Sequence, residues 1–405
     1  MINNRLSINE ASRVLLLFAL LITSGCVSSG GLDRGRGLQA LVDSQWAAYK
    51  ADKGVTAGGL ALYIVAPDGS YSASSGLGGA AVPGLHFRIA SNTKTFTAAG
   101  IMLLYQQGRL NIDDTITSLI KDKGIPYIPD IPAYAIPYKS SITIRQLLSH
   151  TAGVFDSTND NTPEACPVPY AGKIYEEYVL NDLGLSDHTF TFDELVGVNA
   201  TCQLSYYPPG GGYHYSNIGY NLLGKIIERV SGLSYVDFIS QNLVTPNKLT
   251  QTSLPYLGTD KAIPAPYAEG YRRLNGDFVI CTQDNLSGQV AEGNIISTPA
   301  DLARWVKLLV TGHSGVTKPY ADMMLACGRQ GKDCYGLGVF YRKNLGYGHN
   351  GAHQGYLSLM LYNPDDDVAL IVFSTIVDSD HLKDEMTVQM RVASRARQIL
   401  GFSAY

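Results

Sequence analysis

A short apolar run leads directly into a serine and a lysine at the start of a helix. Residues 87–90 have the character of a strand, and the chain after Ser91 and Lys94 has helical character up to about Gly108. Residues three apart in a helix share one face, so the lysine amine lies over the serine hydroxyl. The free N–H groups at a helix N-terminus can bind an oxyanion, and the amine can accept or relay the hydroxyl proton. The motif therefore predicts a strand–helix junction that carries a nucleophilic Ser91.

The Ser-x-x-Lys motif is weak when it stands alone. A second copy occurs in this chain at Ser118 and Lys121, without a strand-like run before it or a long helix after it. A match of this kind becomes informative only in its structural context. The assignment of Ser91 therefore depends on other motifs in the chain.

A tyrosine and an asparagine two residues apart, Tyr215 and Asn217, form the second element. They follow a proline- and glycine-rich turn at 208–212 and precede a helical segment. A lysine ammonium beside the phenol would stabilise phenolate, so Tyr215 is predicted to be the general base and later the general acid. The Asn217 amide is predicted to contact Lys94 and a substrate carbonyl. The alternative is that Tyr215 is one of 26 ordinary tyrosines and Asn217 a helix cap.

The third element, His349, Asn350 and Gly351, lies between strand-like segments near the end of the chain. Gly351 and Gly355 are expected to leave a strand edge open to the backbone of a ligand. The N–H of Ala352 is predicted to be the second oxyanion donor beside that of the nucleophile. His349 is predicted to form a positively charged or hydrogen-bonding wall, the alternative being a surface loop histidine. Two other His-x-Gly sequences begin at His313 and His353.

The two ends of the chain carry strand-like segments, and the middle carries helical ones. This pattern predicts an α/β domain at 38–115 and 286–405, with one antiparallel five-stranded sheet and the first and last helices on one face. Residues 116–285, with helices separated by long Pro-, Tyr- and Gly-rich loops, are predicted to form an inserted, mostly helical domain. The five predicted strands lie at 59–66, from 70, and at 336–341, 356–362 and 368–375.

The N-terminal residues are predicted to be a targeting segment. Two arginines precede an apolar run at 14–22, which is too short to span a bilayer and is typical of a signal peptide over residues 1–25. Cys26 resembles the lipidated first residue of bacterial lipoproteins, and Val27 after it favours the outer membrane. Residues 26–37 are then a flexible tether. The expected location is the periplasm or cell envelope, and the alternative is a soluble secreted protein cut nearby.

The other cysteines fit an oxidising compartment, which favours disulfides. Cys166 with Cys202, and Cys327 with Cys334, are plausible pairs that leave Cys281 free, although the sequence leaves the connectivity open. A net charge of −4 without a basic run argues against nucleic acid as a partner. No Cys-x-x-Cys pair or His-rich tract indicates a metal site, and no cofactor is predicted.

Taken together, five segments resemble the serine β-lactamase-related superfamily. The similarity is to the branch of class C β-lactamases, penicillin-binding D-alanyl-D-alanine carboxypeptidases, esterases and D-aminopeptidases. It implies a β-lactamase/transpeptidase-like fold with the active site between the two domains. It also implies an acyl-enzyme on Ser91, with Lys94 and Tyr215 as proton carriers, and β-lactams as covalent ligands. The segments are residues 87–94, 142–153, 215–224, 292–298 and 349–351.

The third segment of the active-site pattern departs from the class C β-lactamases, because the chain has no Lys-Thr-Gly. Asn350 also replaces the hydroxyl residue that would bind a substrate carboxylate. The expected function is an exported serine hydrolase of amide bonds in D-amino-acid peptides, similar to a D-Ala-D-Ala carboxypeptidase. A β-lactamase or carboxylesterase of the same fold is the first alternative, and a non-catalytic envelope binding protein is the second. The segment 155–207 is expected to roof the cleft.

Overall fold

A seven-stranded antiparallel sheet is the centre of the structure. The computed structural model describes residues 29–403 of the 405-residue chain, so the predicted signal peptide and Cys26 lie outside the described residues. The sheet order is β2-β1-β11-β10-β9-β8-β7. The strands are β1 (Leu60–Ala66), β2 (Gly69–Ser75), β3 (Phe87–Arg88), β4 (Tyr271–Leu274), β5 (Asp277–Ile280), β6 (Ile296–Ser297), β7 (Cys334–Tyr335), β8 (Phe340–Arg342), β9 (Gly346–His353), β10 (Tyr356–Asn363), β11 (Val368–Ser374) and β12 (Ile376–Val377).

Helices cover both faces of this sheet. The first and last described helices, α1 and α10, pack together on one face, as predicted, and α2 and α8 pack on the other. The rings of Phe96 and Trp305 stack at 3.9 Å between α2 and α8. The helices are α1 (Ser29–Lys53), α2 (Thr93–Gln106), α3 (Ile144–Leu148), α4 (Tyr175–Glu177), α5 (Phe192–Cys202), α6 (Asn217–Ser231), α7 (Tyr235–Ile239), α8 (Pro299–Thr311), α9 (Lys318–Met324) and α10 (Leu382–Ile399).

The predicted count of five strands is wrong, because the C-terminal part of the sheet was underestimated. Strand β9 is rich in glycine and histidine, which disfavour strands in isolation, yet it pairs with β8 and β10. Of the predicted strand at 336–341, residues 336–339 form a turn between β7 and β8, and only residues 340 and 341 belong to β8. Gly338 lies in this turn at φ +73°, and a Cβ there would lie 2.3 Å from the Ala98 side chain of α2. The turn therefore needs glycine for both its conformation and its close approach to α2.

The flexible tether predicted at 26–37 differs from the structure, since α1 includes the residues from 29 onward. Its glycines suggest flexibility, but Gly37 allows close packing. A Cβ at this position would lie 3.3 Å from a side chain of α10. Arg34 also forms an ion pair with Asp68 in the turn between β1 and β2. These tertiary contacts explain why a segment of low helix propensity is helical.

The segment predicted to be mostly helical, 116–285, contains α3 to α7 and ends in a hairpin that was not predicted. Strand β4 of this hairpin pairs in parallel with β12, which follows β11 of the main sheet. The two plausible disulfides, Cys166–Cys202 and Cys327–Cys334, are confirmed, and Cys281 is free. Over residues 29–403, no helix combines the length and apolar character needed to cross a membrane.

Candidate active site

Ser91 lies in a tight turn between β3 and α2. Strand β3 is held by pairing with β6, and Ala90 before the serine has φ +48°, a conformation that is unfavourable for a residue with a Cβ. The buried Asn92 side chain donates to the Ile89 carbonyl at 3.0 Å and to the Ser358 hydroxyl at 2.7 Å. These contacts hold the strained turn and fix the position of the serine at the cavity wall. The predicted strand–helix junction is therefore present.

Lys94 is completely buried and lies over the serine, as its spacing predicts. Its Nζ donates to Ser91 Oγ at 3.0 Å. It also donates to the backbone carbonyl and to carboxylate Oε2 of Glu292, both at 2.9 Å. Burial lowers the pKa of Lys94, and the Glu292 carboxylate opposes this effect. Sequence reasoning assigned no role to Glu292, although it lies in one of the five recognised segments.

Tyr215 lies across from the lysine, with Lys94 Nζ 4.8 Å from its ring centroid. Burial raises the pKa of Tyr215 well above its ordinary value, and the Glu292 carboxylate raises it further, while the Ser91 hydroxyl acts the other way. The predicted position beside the lysine and serine is confirmed. The predicted easier ionisation is wrong in direction, because the cost of burying a phenolate exceeds the stabilisation that the lysine provides.

Asn217 begins α6, where the Ser216 side chain caps the helix by accepting from the N–H of Gly219 at 3.2 Å. The Asn217 amide donates to the Thr158 hydroxyl at 2.9 Å rather than contacting Lys94 as predicted. Its Oδ1 is buried without a hydrogen-bond partner among the described residues. Asn217 lines the cavity beside Ser91, so this oxygen is available to a substrate N–H.

Strand β9 presents an open edge to the cavity. Its pairing with β8 ends at Gly348, whereas its pairing with β10 continues to His353. Asn350, Gly351 and Ala352 line the cavity together with Ser91. A Cβ on Gly351 would lie 2.4 Å from the Ile89 carbonyl, so only glycine permits this approach of β9 to the serine turn. The role of the Ala352 N–H as an oxyanion donor remains a prediction.

His349 was predicted to form a positively charged or hydrogen-bonding wall, but it is buried and does not line the cavity itself. Burial lowers its pKa to about 3, which keeps the ring neutral. Its Nε2 lies 2.9 Å from Tyr335 Oη, and its Nδ1 lies 2.5 Å from the Asn350 carbonyl. The alternating pattern of a strand explains this result, since Asn350 faces the cavity and its neighbour therefore faces the interior.

A chain of hydrogen bonds connects the backbone after Tyr215 to β9. The N–H of Ser216 donates to Nδ1 of the buried His150 at 3.1 Å, so the proton of this neutral ring is on Nε2. Nε2 then donates to Tyr335 Oη at 3.1 Å, and this hydroxyl donates to His349 Nε2. The remaining His349 proton is donated to the Asn350 carbonyl. The order of donors fixes the ring tautomers and couples the positions of two cavity walls.

The cavity in front of Ser91 has a volume of about 810 Å³ and many carboxylates. Glu176, Glu177 and Asp284 line it, in addition to Glu292. Burial raises the pKa of Glu176 to about 8, and its Oε1 has no hydrogen-bond partner among the described residues. Its position depends on Gly288, where a Cβ would lie 2.4 Å from Glu176 Oε2. The predicted roof segment 155–207 supplies Glu176, so this segment shapes the cavity.

Comparison with known proteins agrees with this geometry. The beta-lactamase family model matches residues 45–394. The chain belongs to the beta-lactamase family. It is 26% identical over 305 residues to protein flp of Staphylococcus aureus, covering 73% of this chain and 54% of that protein. The chain thus spans about half the length of this relative.

Two solved structures share the fold of this beta-lactamase family member. A D-amino acid amidase from Ochrobactrum anthropi SV3 has a TM-score of 0.70 and 23% identity, covering 91% of this chain and 99% of that chain. A D-stereospecific amidohydrolase from Streptomyces sp. has a TM-score of 0.68 and 24% identity, covering 84% and 94%. The β-lactamase/transpeptidase-like fold class is confirmed, and the family match supports the assignment as a serine hydrolase.

Four residues that the structure places at the site were not predicted from the sequence: Glu292, His150, Tyr335 and Glu176. Glu292 and His150 lie inside segments that carried the resemblance. The sequence therefore located these two residues, but it did not predict their contacts. Tyr335 lies between a disulfide cysteine and a glycine, without any motif. Its role depends on packing between segments far apart in the chain, which a local pattern does not contain.

Replacing Tyr335 by phenylalanine tests the hydrogen-bond chain in this beta-lactamase family member. The change leaves His150 Nε2 and His349 Nε2 buried without their shared partner, which costs about 1–3 kcal/mol of unfolding free energy. We expect kcat to fall by about tenfold with little change in KM. If the two cavity walls shift relative to each other, the reacting groups are less well oriented. Tyr341→Phe is the matched control. Wild-type kcat in Tyr335→Phe would contradict a positioning role.

Proposed function

We propose that this chain is an exported serine hydrolase that cleaves amide bonds of D-amino-acid peptides or amides through an acyl-enzyme on Ser91. The observation that carries this proposal is the 3.0 Å hydrogen bond between Ser91 Oγ and Lys94 Nζ at the wall of a large cavity. The names of the two structural relatives, a D-amino acid amidase and a D-stereospecific amidohydrolase, support the substrate class.

The geometry accommodates acylation and deacylation by one set of groups. Ser91 Oγ attacks the substrate carbonyl, and its proton passes to the groups around Lys94. The N–H groups of Ser91 and Ala352 would bind the oxyanion, and Tyr215 Oη, protonated in the resting enzyme, would hydrogen-bond the departing nitrogen. A water molecule then attacks the acyl carbonyl with help from the same groups, and the acyl group is released from Ser91. Burial of the reacting groups strengthens each of these electrostatic contacts.

The buried carboxyl of Glu176 makes the cavity better suited to a substrate with an ammonium group than to one with a terminal carboxylate. Glu176 lines the cavity with a buried Oε1 that has no hydrogen-bond partner among the described residues, whereas Asp284 Oδ2 lies 3.0 Å from His353 Nε2. Lys261 forms an ion pair with Asp187, and Arg272 donates to the Gln354 side chain at 2.6 Å. We therefore favour D-aminoacyl amides or peptides with a free α-amino group over a D-Ala-D-Ala carboxypeptidase substrate.

The Glu176→Gln variant tests the proposed ammonium site. An approaching ammonium would favour the ionised carboxylate of Glu176, and the resulting charge-assisted hydrogen bond would hold the substrate. We expect the variant to raise KM for a D-amino-acid amide by about tenfold or more, because this bond is lost. The matched control is the N-acetylated form of the same amide, whose KM should change little. Equal effects on both substrates would contradict the assignment.

Covalent labelling and a turnover panel test the reaction itself. Incubation with a penicillin or an active-site phosphonate should add its mass to the peptide that contains Ser91. The panel compares D-amino-acid amides, D-alanyl peptides, short acyl esters and a cephalosporin on one enzyme preparation. Fastest turnover of the cephalosporin or of the esters would favour the β-lactamase or carboxylesterase alternative. Peptide binding without labelling or turnover would favour a non-catalytic binding protein.

Export and anchoring form a separate part of this proposal, supported by the N-terminal sequence and by two disulfides in the described residues. Lipidation of Cys26 predicts incorporation of labelled palmitate into the full chain and recovery in the outer-membrane fraction. Cys26→Ser should abolish the label. An unlabelled wild type would instead favour a soluble secreted protein, and a labelled Cys26→Ser variant would mean that the lipid is attached to another residue.

A further inference from the structure

The hydrogen bonds of Lys94 define its resting protonation state. An ammonium has three hydrogens, and Nζ has three acceptors within 3.0 Å: Ser91 Oγ, the Glu292 carbonyl and Glu292 Oε2. The lysine side chain has no exposure, and that of Glu292 has only 5%. Loss of a proton from Lys94 to solvent would leave the Glu292 carboxylate buried without a counterion, which is costly. Lys94 is therefore an ammonium that donates to Ser91 Oγ. It has no lone pair that could accept the proton of the Ser91 hydroxyl.

This arrangement leaves the serine without an obvious base. Tyr215 is the other group at the serine, and burial opposes formation of its phenolate. Glu292 is the nearest ionised acceptor, one hydrogen bond beyond the lysine. The charged and titratable groups that face Glu292 are Lys94, Asp156, Glu176, His353, Tyr215 and Tyr235.

Resting on the proposed acyl-enzyme reaction, we propose that Glu292 is the proton acceptor that converts Lys94 into the general base for Ser91. Glu292 acts on the nucleophile through Lys94, so it is a positioning residue. The contact between Lys94 and Glu292 is direct, at 2.9 Å, and joins side chains with 0% and 5% exposure. The carboxylate therefore keeps the lysine charged and ordered at rest and takes its proton when the serine attacks.

The proton and charge balance is complete without any other reactant. Lys94 transfers a proton to Glu292 Oε2 and accepts the proton of Ser91 as Oγ bonds to the carbonyl carbon. The oxyanion then carries the negative charge that the carboxylate has lost. When the C–N bond breaks, the departing nitrogen takes a proton from Lys94, which recovers its own from Glu292. The pair returns to ammonium and carboxylate, ready to accept a water proton during deacylation.

Burial contributes to this proton transfer because it makes the proton affinities of Lys94 and Glu292 more similar. Burial raises the pKa of the Glu292 carboxyl and lowers that of the Lys94 ammonium. A proton moves between two groups at least cost when their affinities are similar. In water the same transfer would be strongly unfavourable, since the ordinary pKa values of the two groups differ by about six units.

The test is the pH dependence of Ser91 acylation in Glu292→Gln, measured with a penicillin or an activated ester. In the wild type, acylation starts from the charged pair, so its rate should change little across neutral pH. In the variant, Lys94 must first lose its proton. The acylation rate should therefore be about 10²-fold lower at low pH and recover as pH rises through the pKa of Lys94.

The controls separate this role from a structural one. Glu385→Gln removes another buried carboxylate, one that accepts from Tyr49 Oη at 2.9 Å outside the cavity, and should leave the pH profile unchanged. Glu292→Asp should largely restore the wild-type profile, and it provides the test if the glutamine variant does not fold. A profile of Glu292→Gln parallel to the wild type would overturn the proposal. Absence of acylation in the wild type would instead overturn the proposed function.

Discussion

The Ser91→Ala variant is expected to lose at least about 10⁴-fold in kcat for amide and ester substrates, because no acyl-enzyme can form. The alanine removes only Oγ, which accepts a hydrogen bond from Lys94 at 3.0 Å. The strained turn is held by Asn92 and by β3 pairing with β6, so the fold should be retained. The measurement is turnover together with mass spectrometry of the peptide that contains residue 91.

The chain itself supplies a matched control for this experiment. Ser118 and Lys121 have the same spacing, but the Ser118 hydroxyl is hydrogen-bonded to Thr115 at 3.0 Å outside the cavity. Ser118→Ala should therefore keep wild-type turnover and wild-type labelling. Residual turnover above about one-hundredth of the wild-type rate in Ser91→Ala would show that another group is the nucleophile.

The elements that the sequence predicted well are those determined by local spacing. The helical repeat that places Lys94 over Ser91, and helix α6 that follows Tyr215, both depend on neighbouring residues. Strand β9 was missed because its glycines and histidines form a strand only when β8 and β10 pair with it. The fold class was predictable from the order of these elements, whereas the number of strands depends on such long-range pairing.

The site chemistry was harder to predict than the site positions. Tyr215 was correctly placed, but its pKa shift depends on how completely other segments bury it. His349 was assigned to the cavity wall, although the alternation along β9 directs Asn350 there instead. Glu292 is nearly 200 residues from Lys94 in the sequence, and their contact exists only in the folded chain. Protonation states therefore needed the three-dimensional arrangement, even where the motifs located the residues.

The Lys94→Met variant should be both inactive and strongly destabilised, because it leaves the buried Glu292 carboxylate without a counterion. Breaking a buried ion pair in this way costs about 3–5 kcal/mol of unfolding free energy. Methionine approximates the volume of the lysine chain, so little of this loss should come from a cavity. The Lys225→Met variant is the control, since its ion pair with Asp193 is partly exposed and is worth at most about 1 kcal/mol.

The pH dependence of this loss identifies its cause. Burial raises the pKa of Glu292, so the folded Lys94→Met variant favours the protonated carboxyl. For a group with a raised pKa, stability is retained below the unfolded pKa and is lost as pH rises through the folded pKa. Urea unfolding should therefore show a deficit at pH 8 that shrinks towards pH 4, and adding Glu292→Gln should remove most of it. An equal deficit at both pH values would mean that packing, rather than the unpaired carboxylate, accounts for the effect of Lys94.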